Sequence, residues 1–431
     1  MTYAAAIEFL YDLQLFGAIF GLENTQRLAA LAGHPQNKLR FIHVAGTNGK
    51  GSTCAMLENI YRAAGWRVGL FTSPHLVSFR ERIQIDRELI SEDAVAQSVP
   101  AMQRLLKEFP RDHHPTFFEV VTVMALRHFA EHECDLVIWE TGLGGRLDAT
   151  NIVTPLASVI TNVQFDHQKW LGNSLPVIAA EKAGIIKSNT PVITAVDADE
   201  SFAVVEKMAA QKNAPLYRVT ESDGQTPFLN SLALPLAGPH QKLNAALALK
   251  TVEVLHQDIA VSANAVRCGL ETVRWPGRLQ TLRTSRGQTI VLDGAHNPSA
   301  MAALLEALAA IFPKQTPTIL VGIMRDKDLP ALCRQLADFA DRIIAVPIDS
   351  PRAARPEEIV GAFAEASPAA KISQALSLRD ALDQVADDRL VVITGSLYLV
   401  GEALESFETP GNQSHERALN NWQAVQPAGS A

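Results

Sequence analysis

The sequence predicts an α/β protein made of two mostly parallel sheets that follow one another along the chain. Short apolar runs rich in Val and Ile recur between helical patterns, the rhythm of a parallel sheet covered on both faces. That rhythm stops and restarts around "RWPGRLQTLRTSRG", Arg274 to Gly287, whose Pro-Gly pair and polar composition mark a turn and a domain junction. The length of 431 residues, set against roughly 100–200 residues per domain, also calls for more than one core, and two is the expectation.

The elements follow in order. "MTYAAAIEFLYDLQLF" is apolar, but Glu8 and Asp12 interrupt it and no basic residue precedes it, so it reads as an amphipathic helix and not as a secretion signal. Strands are expected at "LRFIHVA" (39–45), "VGLFT" (68–72), "CDLVIWE" (134–140), "LASVITN" (156–162) and "PVITAV" (191–196). Helices are expected at Ser52–Ala64 and Phe118–Glu131. In the second block, strands at "QTIVLDGA" (288–295), "TPTILVGIM" (316–324), "DRIIAVPI" (341–348) and "RLVVITGS" (389–396) alternate with helices near 299–311, 328–339 and 377–386. Residues 408–431 have no convincing apolar period and are expected to form a mobile tail.

Composition excludes several classes. Hydrophobic residues make up 47% and charged ones 19%, enough apolar material for full cores. A net charge of -8, from 46 acidic against 38 basic residues without long single-sign runs, argues against nucleic acid or a membrane surface as partner. No uncharged apolar run approaches the ~20 residues of a membrane span. Cys54, Cys134, Cys268 and Cys333 form no C-x-x-C pair, which predicts reduced thiols and a cytoplasmic protein. No coiled-coil pattern or exposed apolar helix stands out, so a monomer is expected.

The chemistry concentrates at strand ends. "VAGTNGKGST", Val44 to Thr53, lies between a strand and a helix, where glycines let backbone N–H groups converge on an oxyanion and the helix N-terminus adds a favourable dipole. Lys50 would meet terminal phosphates, and the Ser52 or Thr53 hydroxyl could help hold a metal. The spelling differs from G-x-x-x-x-G-K-[ST], because Gly51 separates Lys50 from Ser52, so a glycine-rich turn with an exposed lysine is the alternative. Glu140 ends a buried-type strand at the edge where parallel sheets present ligands, although alone it is equally a solvated strand-end residue. Asp166 and His167 stand just past another strand, and Lys182 sits in a helix-like stretch where it is locally ordinary. In the second block "LDGAHNP" puts Asp293, His296 and Asn297 at a strand end. With Arg278 they could close over a nucleotide held by the first block, or simply be polar loop residues. His128 and His132 have i, i+4 spacing without the glutamate of H-E-x-x-H, and with "DHHP" (112–115) they are read as structural.

These segments resemble the folylpolyglutamate synthase and dihydrofolate synthase family, cousins of the muramyl-peptide ligases, from about residue 10 to 407. The resemblance is carried, in order, by "GTNGKGST", "TSPHL", "ETGLGGRLDATN", "DHQKWLG", "EKAGI", "GPHQKLNAA", "WPGRLQ" and "DGAHNP". It implies an N-terminal P-loop-type, mostly parallel sheet ATPase domain that binds ATP and folate (1–280) and a smaller C-terminal Rossmann-like α/β ligase domain (281–407). Thr47, Asn48, Gly49, Lys50, Gly51 and Ser52 would bind ATP phosphates, while Asn244, Arg278 and Asp293 would contact the rest of the nucleotide. Ser73, Glu140 and His167 match the family's Mg²⁺ positions. Lys182 matches a lysine carboxylated on N6, which requires a neutral amine and hence a depressed pKa. The pterin would be met by Ile19, Phe20, Gly21 and Leu22, by Thr116, Phe117, Phe118 and Glu119, and by Leu147, Asp148 and Ala149.

The implied reaction joins L-glutamate to dihydropteroate or reduced folates through an acyl phosphate, with Lys50, Lys182 and His167 as the catalytic residues. The alternatives are folylpolyglutamate synthase activity alone, a muramyl-peptide ligase, and a nucleotide-cycling switch without ligation.

Overall fold

The computed structural model describes residues 1–16, 21–110, 113–367, 371–408 and 416–417. The first sheet has eight strands: β1 (Phe41–Ala45), β2 (Val68–Phe71), β3 (Ile83–Ile85), β4 (Glu88–Leu89), β5 (Leu136–Glu140), β6 (Ala157–Ile160), β7 (Val192–Thr194) and β8 (Leu216–Arg218). The second has six: β9 (Gln280–Arg283), β10 (Thr289–Leu292), β11 (Thr318–Val321), β12 (Arg342–Ala345), β13 (Lys371–Gln374) and β14 (Leu390–Thr394). Their orders are β4-β3-β2-β5-β1-β6-β7-β8 and β13-β12-β11-β14-β10-β9. All pairings are parallel except β2–β3, β3–β4 and β9–β10.

Every strand expected from Val/Ile runs is present. Those not expected are short, two to four residues: β4, β8, β9 and β13 form the sheet edges and are partly exposed, and β3, next to β4, has only three residues, so none has side chains regular enough to announce a strand. The N-terminal helix spans Tyr3–Asp12, with Ala6 and Leu10 buried and the Thr2 side chain capping Ala5 N–H. Helices Phe117–Glu131 and Lys50–Ala63 cover the first sheet, and Ser52 to Tyr61 of the latter are all buried. That burial follows from sandwiching: helices Pro239–Val254 and Ala263–Thr272 pack over Lys50–Ala63, closing the core that includes Ile42, Met56, Leu57, Ile60 and Leu270.

Helix Leu397–Glu408 ends the second unit. Of the stretch expected to be a mobile tail, Glu416 and Arg417 are described, and both are hydrogen-bonded to the body of the protein. All four cysteines are free, three of them buried. No helix among the described residues is long and apolar enough to cross a membrane.

Register brings the functional ends together. Val44 pairs with Glu140, and Ala45 with Ile160, so the turns after β1, β5 and β6 emerge side by side. The turns after β10 and β14 emerge from adjacent strands of the second sheet and face them.

Candidate active site

A cavity of about 470 Å³ lies between the two sheets. Gly46 to Ser52 line it together with Ser73, Glu140, His167, Lys182, Asn244, Arg278, Asp293 and His296. Its other end is bounded by Gly21, Thr116 to Glu119 and Leu147 to Ala149. Ile19 and Phe20 lie outside the described residues, and Leu22, at the N-cap of helix Glu23–Leu31, is not among the lining residues.

The glycine-rich turn is held from outside. Asn48 N–H donates to Asn162 Oδ1 at 2.8 Å, Thr161 Oγ1 donates to Asn48 O at 2.6 Å, and Thr47 Oγ1 accepts from Gln164 N–H at 3.0 Å. Gly49 opens the following helix at φ +82°, where it carries no side chain to cap the N-terminus. The inserted Gly51 has a packing reason: a Cβ there would stand 2.8 Å from Trp275 Nε1 of the junction segment. Lys50 Nζ donates to Gly46 O and Thr47 O at 3.2 and 3.3 Å, curled over its own turn. Ser52 Oγ accepts from Gln241 Nε2 at 3.3 Å, and Gln241 Oε1 accepts from Asn244 Nδ2 at 3.0 Å.

Charge in the site is shaped by burial. Glu140 is buried and accepts Ser73 N–H at 2.9 Å; desolvation raises its pKa, against the pull of Lys50 and Arg278. His167 is pushed down to about 3 by burial and then by the Lys327 ammonium, so its ring is a neutral donor of a lone pair. Lys182, 2% exposed, is pushed down to about 7 by burial and by the neighbouring Lys50. Near neutral pH a large fraction of that amine is uncharged.

Other expected residues are engaged in local structure. Asp293 accepts Leu279 N–H and Ala295 N–H, both at 2.9 Å, so it ties the junction segment to the turn after β10. Arg278 Nη1 donates to Gly277 O at 3.2 Å beside Gly294. Glu119 completes a capping box with Thr116 and accepts from Thr25 Oγ1 at 3.2 Å. Asp148 accepts Leu143 N–H at 2.7 Å and Thr150 N–H at 3.0 Å, organising its own turn. His132 Nδ1 contacts His128 O at 2.8 Å at the end of helix Phe117–Glu131, and neither histidine lines the cavity.

Contacts that pattern reading missed join the two sheets across the cavity. Lys327 donates to Asp166 Oδ1 at 2.6 Å, with both side chains almost wholly buried. Asn297 Nδ2 donates to Asp166 Oδ2 at 3.0 Å, and Asn48 and Asn297 exchange amide hydrogen bonds at 2.9 and 3.2 Å. Burial opposes ionisation of Asp166, but His296 and Lys327 overcome it and hold the carboxyl well below its usual range. Arg82, in "FRERIQ", also lines the cavity while 3% exposed. Nothing local marks Lys327 or Arg82, because each becomes notable only through a partner more than six residues away.

The arrangement of two facing α/β units around a glycine-rich phosphate-type turn is that of a Mur-type ligase. The Mur ligase middle domain family matches residues 44–252, and the Mur ligase glutamate ligase domain family matches residues 277–397. A dihydrofolate synthase/folylpolyglutamate synthase of Bacillus subtilis is 34% identical, covering 93% of this chain and 98% of that protein. The structure of Mycobacterium tuberculosis folylpolyglutamate synthase complexed with ADP superposes with a TM-score of 0.85 at 29% identity, covering 95% of this chain and 100% of that one. Escherichia coli FolC in complex with DHPP and ADP gives 0.83 at 31% identity, covering 96% of this chain and 99% of that one. The chain belongs to the dihydrofolate synthase/folylpolyglutamate synthase family.

Proposed function

We propose that this protein is an ATP-dependent carboxylate–amine ligase that adds L-glutamate to dihydropteroate, to reduced folates already carrying glutamate, or to both. The observation that carries the reading is the convergence in one cavity of the Gly46–Ser52 turn, Glu140 and a buried, charge-depleted Lys182. Residues 1–280 form the ATP- and folate-binding domain and 281–407 the ligase domain in this reading, acting as a cytoplasmic monomer.

A free carboxylate resists amine attack because oxide is a poor leaving group. Its oxygen therefore attacks the γ-phosphorus of ATP, the bond to ADP breaks, and an acyl phosphate results. The glutamate nitrogen attacks the acyl carbon, loses a proton, and phosphate leaves. The chain's contribution is positioning and charge: Lys50, the turn's N–H groups and the uncapped helix N-terminus face the transferring phosphoryl group. Asn244, Arg278 and Asp293 border the remainder of the nucleotide, and burial between the sheets keeps water from the acyl phosphate.

The donor set fits Mg²⁺. Among the described residues no group of three His, Cys, Asp or Glu could form a metal cage, but Glu140, Ser73 and neutral His167 all line the cavity, as suits an ion that reaches the site with nucleotide phosphates. These three would hold it, and it supplies charge compensation for phosphoryl transfer. Lys182, with part of its amine neutral, can add CO₂ at N6 and release a proton, turning a cation into an anion in the cavity that the metal side chains also line.

The test is ADP release with ATP, Mg²⁺ and L-glutamate, run in parallel with dihydropteroate and with tetrahydrofolate and with products checked by mass. Turnover with both acceptors establishes two activities, turnover with one assigns the narrower activity, and release without amide product removes the ligase reading. Activity lost on CO₂ removal and restored by bicarbonate supports carboxylation of Lys182; indifference to CO₂ counts against it.

A further inference from the structure

The two described residues near the C-terminus bridge the two halves of the molecule. The Glu416 carboxylate accepts from Tyr3 Oη at 2.9 Å, Ser78 Oγ at 2.9 Å and Phe79 N–H at 2.6 Å, all in the first unit. Arg417 pairs with Glu405, itself 4% exposed, on the last helix of the second. Between them, the Glu416 carbonyl accepts from His75 Nε2 at 2.9 Å.

That last contact reaches the cavity. Arg82 can only donate, and its Nε–H meets His75 Nδ1 at 2.8 Å; a carbonyl can only accept, so Nε2 must carry the ring proton. The two partners therefore impose one tautomer and one orientation on a buried ring. Arg82 in turn lies over the Phe117 ring at 5.3 Å and lines the cavity next to Glu140.

We infer that Glu416 is a positioning residue for the ligation reaction: its carboxylate ties Glu416 and Arg417 to the first unit, so that the Glu416 carbonyl fixes His75 and His75 holds Arg82 toward a substrate carboxylate. The carboxylate belongs either to the pterin acceptor or to the incoming glutamate, since a planar guanidinium pairs with both. The inference rests on the ligase reading above for the identity of that anion. Three donors of the first unit, two hydroxyls and a backbone N–H, converge on the Glu416 carboxylate, a side chain in a stretch that otherwise lacks an apolar pattern.

The experiment is steady-state kinetics of the full-length enzyme and of Glu416→Ala, Tyr3→Phe, His75→Leu, His75→Gln and Arg82→Lys, with ATP, L-glutamate and the acceptor varied in turn. Wild-type turnover decides the ligase reading, and variant-to-wild-type ratios decide this one. Glu416→Ala should raise KM for one carboxylate substrate about tenfold, as misdirecting one charge-assisted hydrogen bond predicts, and leave KM for ATP within about twofold. Whichever KM rises names the carboxylate. Tyr3→Phe, which removes one of three donors, should give a smaller rise, and His75→Gln, which can donate and accept, should recover part of what His75→Leu loses. In the Arg82→Lys background the Glu416→Ala effect should vanish, because both act through one group. Parallel rises in all three KM values, full additivity with Arg82→Lys, or wild-type KM values in a folded Glu416→Ala protein would overturn the relay.

Discussion

The turns after β1 and β10 occupy comparable places, each leaving an interior strand of its sheet and entering a helix, yet they are finished in opposite ways. After β1 the helix begins at Gly49, which has no side chain to satisfy the exposed N–H groups, and the turn is held by Asn162, Thr161 and Gln164 from the neighbouring strand end. After β10 the helix begins at Asn297, whose Oδ1 accepts Ala300 N–H at 2.9 Å, and Asp293 absorbs two further N–H groups. One helix end is kept available to an anion, while the other is satisfied internally and spends its side chains on joining the sheets. In the proposed reading, a strand–turn–helix unit becomes a phosphate site by what its cap leaves unsatisfied.

The comparison can be broken most severely at Lys50. Lys50→Ala should lower turnover about 10²–10³-fold, as loss of a preorganised charge does, with an unchanged unfolding midpoint; near-normal turnover would reduce the first turn to a structural one. Lys182 tests the electropositive character of the same side. Its folded pKa, about 7, lies below the ordinary 10.5, so the cost of burying its charge is full below pH 7 and fades as pH rises toward 10.5. In CO₂-free buffer, wild type should therefore gain stability relative to Lys182→Met between those limits, by on the order of a few kcal/mol. Denaturant unfolding at several pH values measures this, and a flat difference would contradict the assignment.

Gly51→Ala should cost about 1–3 kcal/mol of stability by overpacking against Trp275, with partial recovery in Gly51→Ala/Trp275→Phe. A smaller effect is expected for the second turn. Asn297→Ala should cost about 1–2 kcal/mol through lost capping and leave Asp166 with one fewer donor, while Mg²⁺-free ATP affinity, read by calorimetry, changes less than in Lys50→Ala. Equal losses of ATP affinity in the two variants would erase the distinction between the turns.

Much of this protein was legible in the residues alone. Buried parallel strands are continuous Val/Ile runs, so β1, β5, β6, β10, β11 and β14 announce themselves, and glycine, lysine and hydroxyl residues between a strand and a helix point to a phosphate-type turn because those constraints are local. The edge strands β4, β8 and β9 were illegible, since half-exposed segments of two to four residues have no period to read. Tertiary structure alone decided the rest. Lys182 is an ordinary helical lysine until burial and Lys50 depress its pKa, Gly51 is an unexplained insertion until Trp275 packs on it, and Lys327 meets Asp166 across 161 positions of chain. Glu416, in a stretch without apolar pattern, finds its donors 337 to 413 positions away. Local sequence determines what the backbone does within a few residues; desolvation, charge pairing and close packing depend on which distant segments fold against one another, and these set the chemistry of the site.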